Sequence, residues 1–168
     1  MEFEQAFRHV VGLEGGWSRD PADRGNWTSG IKGVGELRGT RFGISAAQYP
    51  DLDIENLTLD EARAIYLRDY WSECRCEQLP DHLRVHVFDG AVNSGVRAAS
   101  RWLQMAVGTK PDGYIGPRTI GAARSSEPWG VIARLTAHRL MHMTNAESWG
   151  HYGRGWSRRL ALNVLASE

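Results

Sequence analysis

The stretch Leu13-Glu14-Gly15-Gly16-Trp17-Ser18-Arg19-Asp20-Pro21-Ala22-Asp23-Arg24-Gly25 packs a helix end, a turn and three carboxylates into thirteen residues. Before it, Phe3, Phe7, Val10 and Val11 recur at helical spacing and predict a helix over residues 2–13. Gly15-Gly16 ends that helix, as glycine does at helix C-termini. Glu14 therefore stands at the negative end of a helix dipole, flanked by Leu13 and Trp17, and both surroundings favour the protonated acid over the anion. A general acid working near neutral pH needs that bias. Asp23 follows nine residues later, in a loop shaped by proline and glycine that can fold back beside Glu14. One carboxyl kept protonated and one kept ionised are the minimal equipment for cleaving a glycosidic bond. Taken singly, a glutamate before a glycine cap and an aspartate in a turn also have plain structural uses.

Outward from this stretch, residues 15–50 hold eight glycines and two prolines and no sustained period. A long irregular segment within a compact chain is usually functional. A small β element is expected within residues 24–45, where Trp27, Ile31, Val34, Leu37 and Phe42 are spread among glycines. Thr58-Leu-Asp-Glu61 is a capping box that opens a helix running to about Trp71. Further helices are expected from Pro80 to Ser94, from Val96 to Val107, from Pro117 to about Ala123, from Glu127 to about Asn145 and from Gly155 to Ala166. The fold class is mainly α.

Glu14-Gly15-Gly16-Trp17, Pro21-Ala22-Asp23-Arg24-Gly25 and Thr40-Arg41-Phe42-Gly43-Ile44-Ser45 together resemble glycoside hydrolase family 108, a group of phage endolysins and bacterial muramidases. The second half is similar to the predicted peptidoglycan-binding region paired with that catalytic segment, through Phe88-Asp89-Gly90-Ala91-Val92-Asn93, Ala98 to Leu103, Asp112 to Thr119, and Gly155-Trp156 with Arg159. The resemblance implies a lysozyme-like fold, with a catalytic segment over residues 1–80 and a helical wall-binding segment over 81–168 packed into one compact unit. It implies Glu14 as general acid, Asp23 as the second carboxyl, and a threonine that holds the attacking water. Residues 27–39 look like an insertion, which leaves two threonines in view: Thr28 keeps the shorter spacing from Glu14, whereas Thr40 keeps the local context and is preferred. The bond cleaved would be the β-1,4 link between N-acetylmuramic acid and N-acetylglucosamine in peptidoglycan glycan strands. An inverting or a retaining course depends on the carboxyl separation, roughly 6.5–9.5 Å against 5–5.5 Å.

Trp17, Trp27 and Phe42 lie in the loop that should border a sugar cleft, with Thr28 as a further candidate contact, whereas Trp71, Trp102 and Trp156 occupy helical positions and read as core. Asn93 has two readings, as a partner for an acetamido group or as a side chain satisfied near a helix end. The chain is neutral overall, yet residues 1–84 carry 10 basic and 15 acidic side chains and residues 85–168 carry 10 and 5. Such a basic half suits either a polyanion or a complementary face within the protein. Cys74 and Cys76 are too close for an ordinary disulfide and suit a reducing compartment. His82/His86 and His138/His142 lack the third ligand of a zinc site, and Asp51 to Glu55 lacks the glycine of a calcium loop, so neither metal nor other cofactor is expected. Nucleic-acid binding, membrane insertion and oligomerisation are not expected either. With no basic and apolar leader at Met1, the expected setting is an endolysin made in the host cytoplasm that reaches the wall through a holin, or else a chromosomal muramidase. A lytic transglycosylase and a wall-binding or virion protein without catalysis are the rival readings.

Overall fold

The computed structural model describes residues 1–12 and 16–167. Contacts group the chain into two compact units, one of Phe7–Tyr66 and one of Met1–Ala6 with Leu67–Glu168. Residues 67–80 thus make their contacts with the later helices.

The helix predicted over residues 2–13 is present as α1, Phe3–Val10, and it ends three residues sooner than expected, ahead of Gly12 with its φ of 80° rather than at Gly15-Gly16. The unit of Phe7–Tyr66 is otherwise mostly irregular backbone held by hydrogen bonds between its loops. Its β element is an antiparallel pair, β1 (Thr40–Arg41) and β2 (Ile44–Ser45), with Thr40 opposite Ser45 and Arg41 opposite Ile44. Phe42 and Gly43 link the strands with φ of 51° and 77°. Two consecutive positive φ angles are the signature of the type I′ hairpin turn, whose twist suits antiparallel strands. The Phe42 carbonyl accepts from the Tyr66 hydroxyl at 3.0 Å, and a Cβ at Gly43 would lie 2.5 Å from that same hydroxyl oxygen. Tyr66 closes α2, Leu59–Tyr66. The expected capping box opens it: Thr58 N–H donates to Glu61 Oε2 at 2.8 Å and Glu61 N–H to Thr58 Oγ1 at 3.3 Å. Phe7 meets Tyr66 edge-on at 5.6 Å.

In the other unit a π-helical turn, Leu67–Ser72, buries Tyr70 and Trp71. Trp71 stands edge-on to Phe3 and Phe88, each at 5.5 Å, and its indole donates to Glu77 Oε2 at 3.0 Å. The helices α3 (Asp81–Ser94), α4 (Val96–Ala106), α5 (Pro117–Ser125), α6 (Pro128–Thr144) and α7 (Trp149–Leu165) follow. Gly95 breaks α3 from α4 with φ of 88°. A Cβ on Gly90 would stand 3.3 Å from Ala99 Cβ, so glycine there lets α3 and α4 approach closely. The turn after α4 is organised by buried Gln104, which donates to Asp112 Oδ1 at 2.8 Å and Tyr114 O at 2.9 Å and accepts from Gly113 N–H at 2.9 Å.

The fold is mainly helical with a small two-stranded sheet among the described residues, as expected of a lysozyme-like chain. The last helix starts six residues earlier than expected, because Gly150, Gly153 and Gly155 do not break it. Aromatic contacts along one face compensate: Tyr152 stacks on Trp156 at 5.9 Å, and Trp149 lies 6.2 Å from Trp156. Trp71 and Trp102 are core, and Trp156 is half-buried. Cys74 and Cys76 are free and buried, and burial, with Cys74 as hydrogen-bond partner, pushes the Cys76 thiol well above its ordinary value. His86 is buried with Nε2 2.7 Å from Ser167 Oγ, and burial holds His82 below its usual value. Among the described residues no helix is long and apolar enough to cross a membrane.

The helical unit is tied at one carboxylate. Asp89, 1% exposed, accepts from Arg139 Nη2 (2.7 Å) and Asn163 Nδ2 (2.7 Å) at one oxygen and from Arg159 Nη1 (2.9 Å) and Asn93 Nδ2 (3.0 Å) at the other. Arg139 itself is fully buried. Asp89→Asn would leave that guanidinium buried without its counter-charge, and urea denaturation is expected to show a loss of roughly 3–5 kcal/mol. A second expectation concerns acid. The bonds from the Thr58 backbone and hydroxyl hold the Glu61 carboxyl below its ordinary value. A carboxyl depressed by folding stabilises above its unfolded value and loses that effect as pH falls through its folded value. The melting temperature of Glu61→Gln should lie below wild type at pH 7 and converge on it between about pH 5 and pH 3.

Candidate active site

Glu14, the expected general acid, lies outside the described residues. The chain leaving Gly16 is fixed a few residues later: Ser18 and Thr40 exchange both backbone hydrogen bonds, at 2.9 and 2.8 Å. Ser18, Thr40 and Ser45 therefore lie side by side across three short extended segments. Gly39 makes the approach feasible. Its φ is 89°, and a Cβ there would stand 2.4 Å from Ser18 O and 2.7 Å from the Trp17 indole nitrogen. That nitrogen donates to Arg38 O at 3.2 Å.

Asp23 caps a single 3₁₀ turn, Arg24–Asn26, by accepting from Gly25 N–H at 2.8 Å through Oδ1. Its side chain is exposed, and Oδ2 takes no hydrogen bond among the described residues. Asn26, which ends this turn, is fully buried. Its Nδ2 donates to Asp20 O at 2.9 Å, its Oδ1 accepts from the Thr40 hydroxyl at 2.7 Å, and its carbonyl accepts from Arg38 and Gly39 N–H at 3.0 Å each. One amide thus joins the Asp20–Asp23 turn to Thr40. Asn26 carried no signal in the sequence beyond its place after Gly25 in a polar loop.

The two candidate threonines have different surroundings. Thr28 is bound into the excursion of residues 27–39: its N–H donates to Glu36 O at 2.9 Å, and its Oγ1 accepts from Glu36 N–H at 3.0 Å. Trp27 and Leu37 pair at the base of that excursion, where the Trp27 indole donates to Pro21 O at 3.1 Å. Thr40 is the threonine connected to the Asp23 turn. Phe42 sits half-buried at the hairpin tip, with the Arg41 guanidinium 5.4 Å from its ring centre.

Trp17 borders a cavity of about 420 Å³ that Arg19, Arg38, Asp51, Asp53 and Glu55 also line. The Asn56 side chain and N–H, bound to Asp53, hold the Asp53 carboxyl below its usual value. In the sequence the run Asp51 to Glu55 reads only as an incomplete calcium loop, and no local signal marks it as a wall of this cavity. Among the described residues no group of three His, Cys, Asp or Glu side chains is placed to hold a metal. Asn93 lies in the other unit, near the end of α3, where its Nδ2 donates to Asp89 O at 2.7 Å as well as to the carboxylate. Its NH₂ is therefore bound back into its own helix.

The chain belongs to glycosyl hydrolase family 108, whose family model matches residues 7–95. Among solved structures it is similar to SagA of Brucella abortus, with a TM-score of 0.83 and 28% sequence identity over 98% of this chain and 92% of that one. No curated protein matches the sequence. The protein is a glycoside hydrolase, and its substrate is a glycan. The likeness to SagA extends well past the family segment, so the later helices belong to the shared fold.

Thr40→Val removes the one donor that the buried Asn26 amide oxygen has among the described residues, and a loss of about 1–3 kcal/mol is expected in urea denaturation. Thr40→Ser keeps the hydroxyl and should retain most of that stability. Equal stability of Thr40→Val and wild type would show that the Asn26 bond does not hold the loop.

Proposed function

We propose that the protein is an N-acetylmuramidase of the endolysin type, which hydrolyses the β-1,4 bond between N-acetylmuramic acid and N-acetylglucosamine in peptidoglycan. The single observation that best supports this reading is the linkage of Asp23 to Thr40 through Asn26, beside the segment that follows Glu14. In this reading Glu14 protonates the leaving glycosidic oxygen. The Asp23 carboxylate, with one oxygen occupied by its turn, stabilises positive charge on the sugar through the other or directs water to it. The Thr40 hydroxyl holds that water; it spends its proton on Asn26, and its oxygen lone pairs can accept a hydrogen bond from water. Trp17, Thr28, Phe42 and Asn93 contact the glycan. The helical residues 81–168 bind the wall, and the chain acts as a monomer after release from the host cytoplasm through a holin.

The test is mass spectrometry of fragments released from purified sacculi by wild type and by Glu14→Gln at equal folded concentration. Saccharides ending in reducing N-acetylmuramic acid are expected from wild type. Their rate of release should fall by about 10²–10⁴ in Glu14→Gln. Undiminished release by Glu14→Gln would overturn the acid assignment. Ends of the 1,6-anhydro type would make the enzyme a lytic transglycosylase, and binding without release would leave a wall-binding protein.

A further inference from the structure

Arg75 stands between two cysteines, Cys74 and Cys76, and the fold treats the three residues in opposite ways. Both cysteines are fully buried, whereas Arg75 is exposed. The backbone turns at Arg75 with φ of 48° and ψ of 37°, the left-handed region in which glycine is the least strained residue. The turn is closed on both sides: Arg75 N–H donates to Ser72 O at 2.9 Å, and Arg75 O accepts from Gln78 N–H at 2.9 Å. The Arg75 guanidinium has no hydrogen bond or ion pair among the described residues. Neither the backbone nor an intramolecular partner therefore accounts for an arginine at this place, and residues held in such conformations concentrate where ligands are bound.

Arg75 lines a cavity of about 500 Å³ that lies wholly within the helical unit, together with Ser72 and Glu73 from its own segment and Arg97, Gly113 and Tyr114 from α4 and the turn after it. The wall at that turn is fixed. Tyr114 N–H donates to Asp112 Oδ1 at 3.0 Å, and its carbonyl accepts from the buried Gln104 at 2.9 Å. The Arg97 guanidinium lies 4.8 Å from the centre of the Tyr114 ring and donates to its hydroxyl. A Cβ on Gly113 would stand 3.4 Å from Arg101 Nε, so a further guanidinium runs along the same wall. Among the described residues no carboxylate is paired with Arg75, Arg97 or Arg101.

Arginines from two separate segments suit a group whose oxygens point in several directions. A carboxylate offers one planar edge, which a single guanidinium fills, whereas a phosphate ester can be shared between two. Glu73 in the same lining narrows the choice. A run of phosphates, as in a nucleic acid, would meet a like charge there, while an ammonium close to one phosphate would find a partner. We propose that the cavity binds a phosphoethanolamine group, a phosphate ester with an ammonium two carbons away, either free or as a lipid headgroup. Arg75 and Arg97 hold the phosphoryl oxygens, the Ser72 hydroxyl donates to the same group, and Glu73 accepts from the ammonium. The volume falls within the roughly 300–1,000 Å³ of small-molecule pockets, which leaves room for the substituent on the ester. The site does not depend on the muramidase reading.

The experiment titrates the intact protein with phosphoethanolamine, inorganic phosphate, ethanolamine and glutamate, followed by the backbone amide signals of Gly113 and Tyr114 in ¹H–¹⁵N spectra. Phosphoethanolamine should shift both signals saturably, inorganic phosphate should do so only at higher concentration, and ethanolamine should not. Arg75→Gly should weaken the response about ten- to a hundredfold. Its melting temperature should equal or exceed that of wild type, because glycine relieves the turn; an arginine kept only for folding would give the opposite pair of results. Glu73→Gln should weaken phosphoethanolamine binding and leave that of inorganic phosphate unchanged or tighter. No saturable shift, an equal response to ethanolamine, a tighter response to glutamate, or unchanged binding in both variants would overturn the proposal. Flotation with phosphatidylcholine vesicles, with and without phosphatidylethanolamine, separates the two sources. Flotation that requires phosphatidylethanolamine assigns the site to a lipid headgroup, and saturable titration without flotation assigns it to a soluble ester.

Discussion

A carboxylate without access to water must be surrounded by donors, and the helical unit is arranged around meeting that demand at Asp89. Four donor groups reach its two oxygens, from Asn93 on its own helix and from Arg139, Arg159 and Asn163 on α6 and α7. Taking one carboxylate and one guanidinium fully out of water costs several kcal/mol for each ion, and only near-complete hydrogen bonding offsets it. An apolar side chain of similar size would be cheaper for stability. What the charge adds is direction: apolar packing tolerates small rotations of a helix, whereas four hydrogen bonds to one group do not.

Asn26 does similar work in the unit of Phe7–Tyr66 with a neutral group. Among its described residues that unit has one short hairpin, one helix of eight residues and the last turn of α1, so its loops cannot rest on regular structure. A buried primary amide has two donors and one strong acceptor, and here both ends are used, one on Asp20 and one on Thr40. The backbone carbonyl of the same residue fixes Arg38 and Gly39. The excursion of residues 27–39 therefore leaves and re-enters the loop at points that Asn26 holds together, and its length can vary without moving Thr40.

What could be read in the sequence was whatever is local. The capping box at Thr58, the break between a helix ending at Ser94 and one starting at Val96, and the apolar period of α1 each depend on residues within a turn or two of one another, and each is present. The start of α7 was misread for the same reason. Three glycines in six residues argue locally against a helix, and the compensating aromatic contacts of Trp149, Tyr152 and Trp156 depend on how the side chains meet after the helix has formed. At the site, Asp23 and Thr40 were legible as motif residues, but the amide joining them was not. An asparagine in a polar loop looks the same whether it is exposed or buried, and only tertiary contact separates the two.

Under the proposed muramidase reading, the choice between Thr28 and Thr40 turns on how each hydroxyl is used. Thr28 Oγ1 accepts from a backbone N–H, so one of its lone pairs is spent and its proton is left to be donated. Thr40 donates its proton to Asn26 and keeps both lone pairs, so it can only accept from a further partner. A water that is to attack a sugar carbon must surrender a proton while keeping a lone pair free for the new bond. An acceptor beside it draws one hydrogen and leaves that lone pair unencumbered, whereas a donor hydroxyl would engage the lone pair that the reaction needs. Asn26 leaves Thr40 with only acceptor capacity to offer, while Glu36 leaves Thr28 with a donor, and the chemistry of an attacking water favours the first.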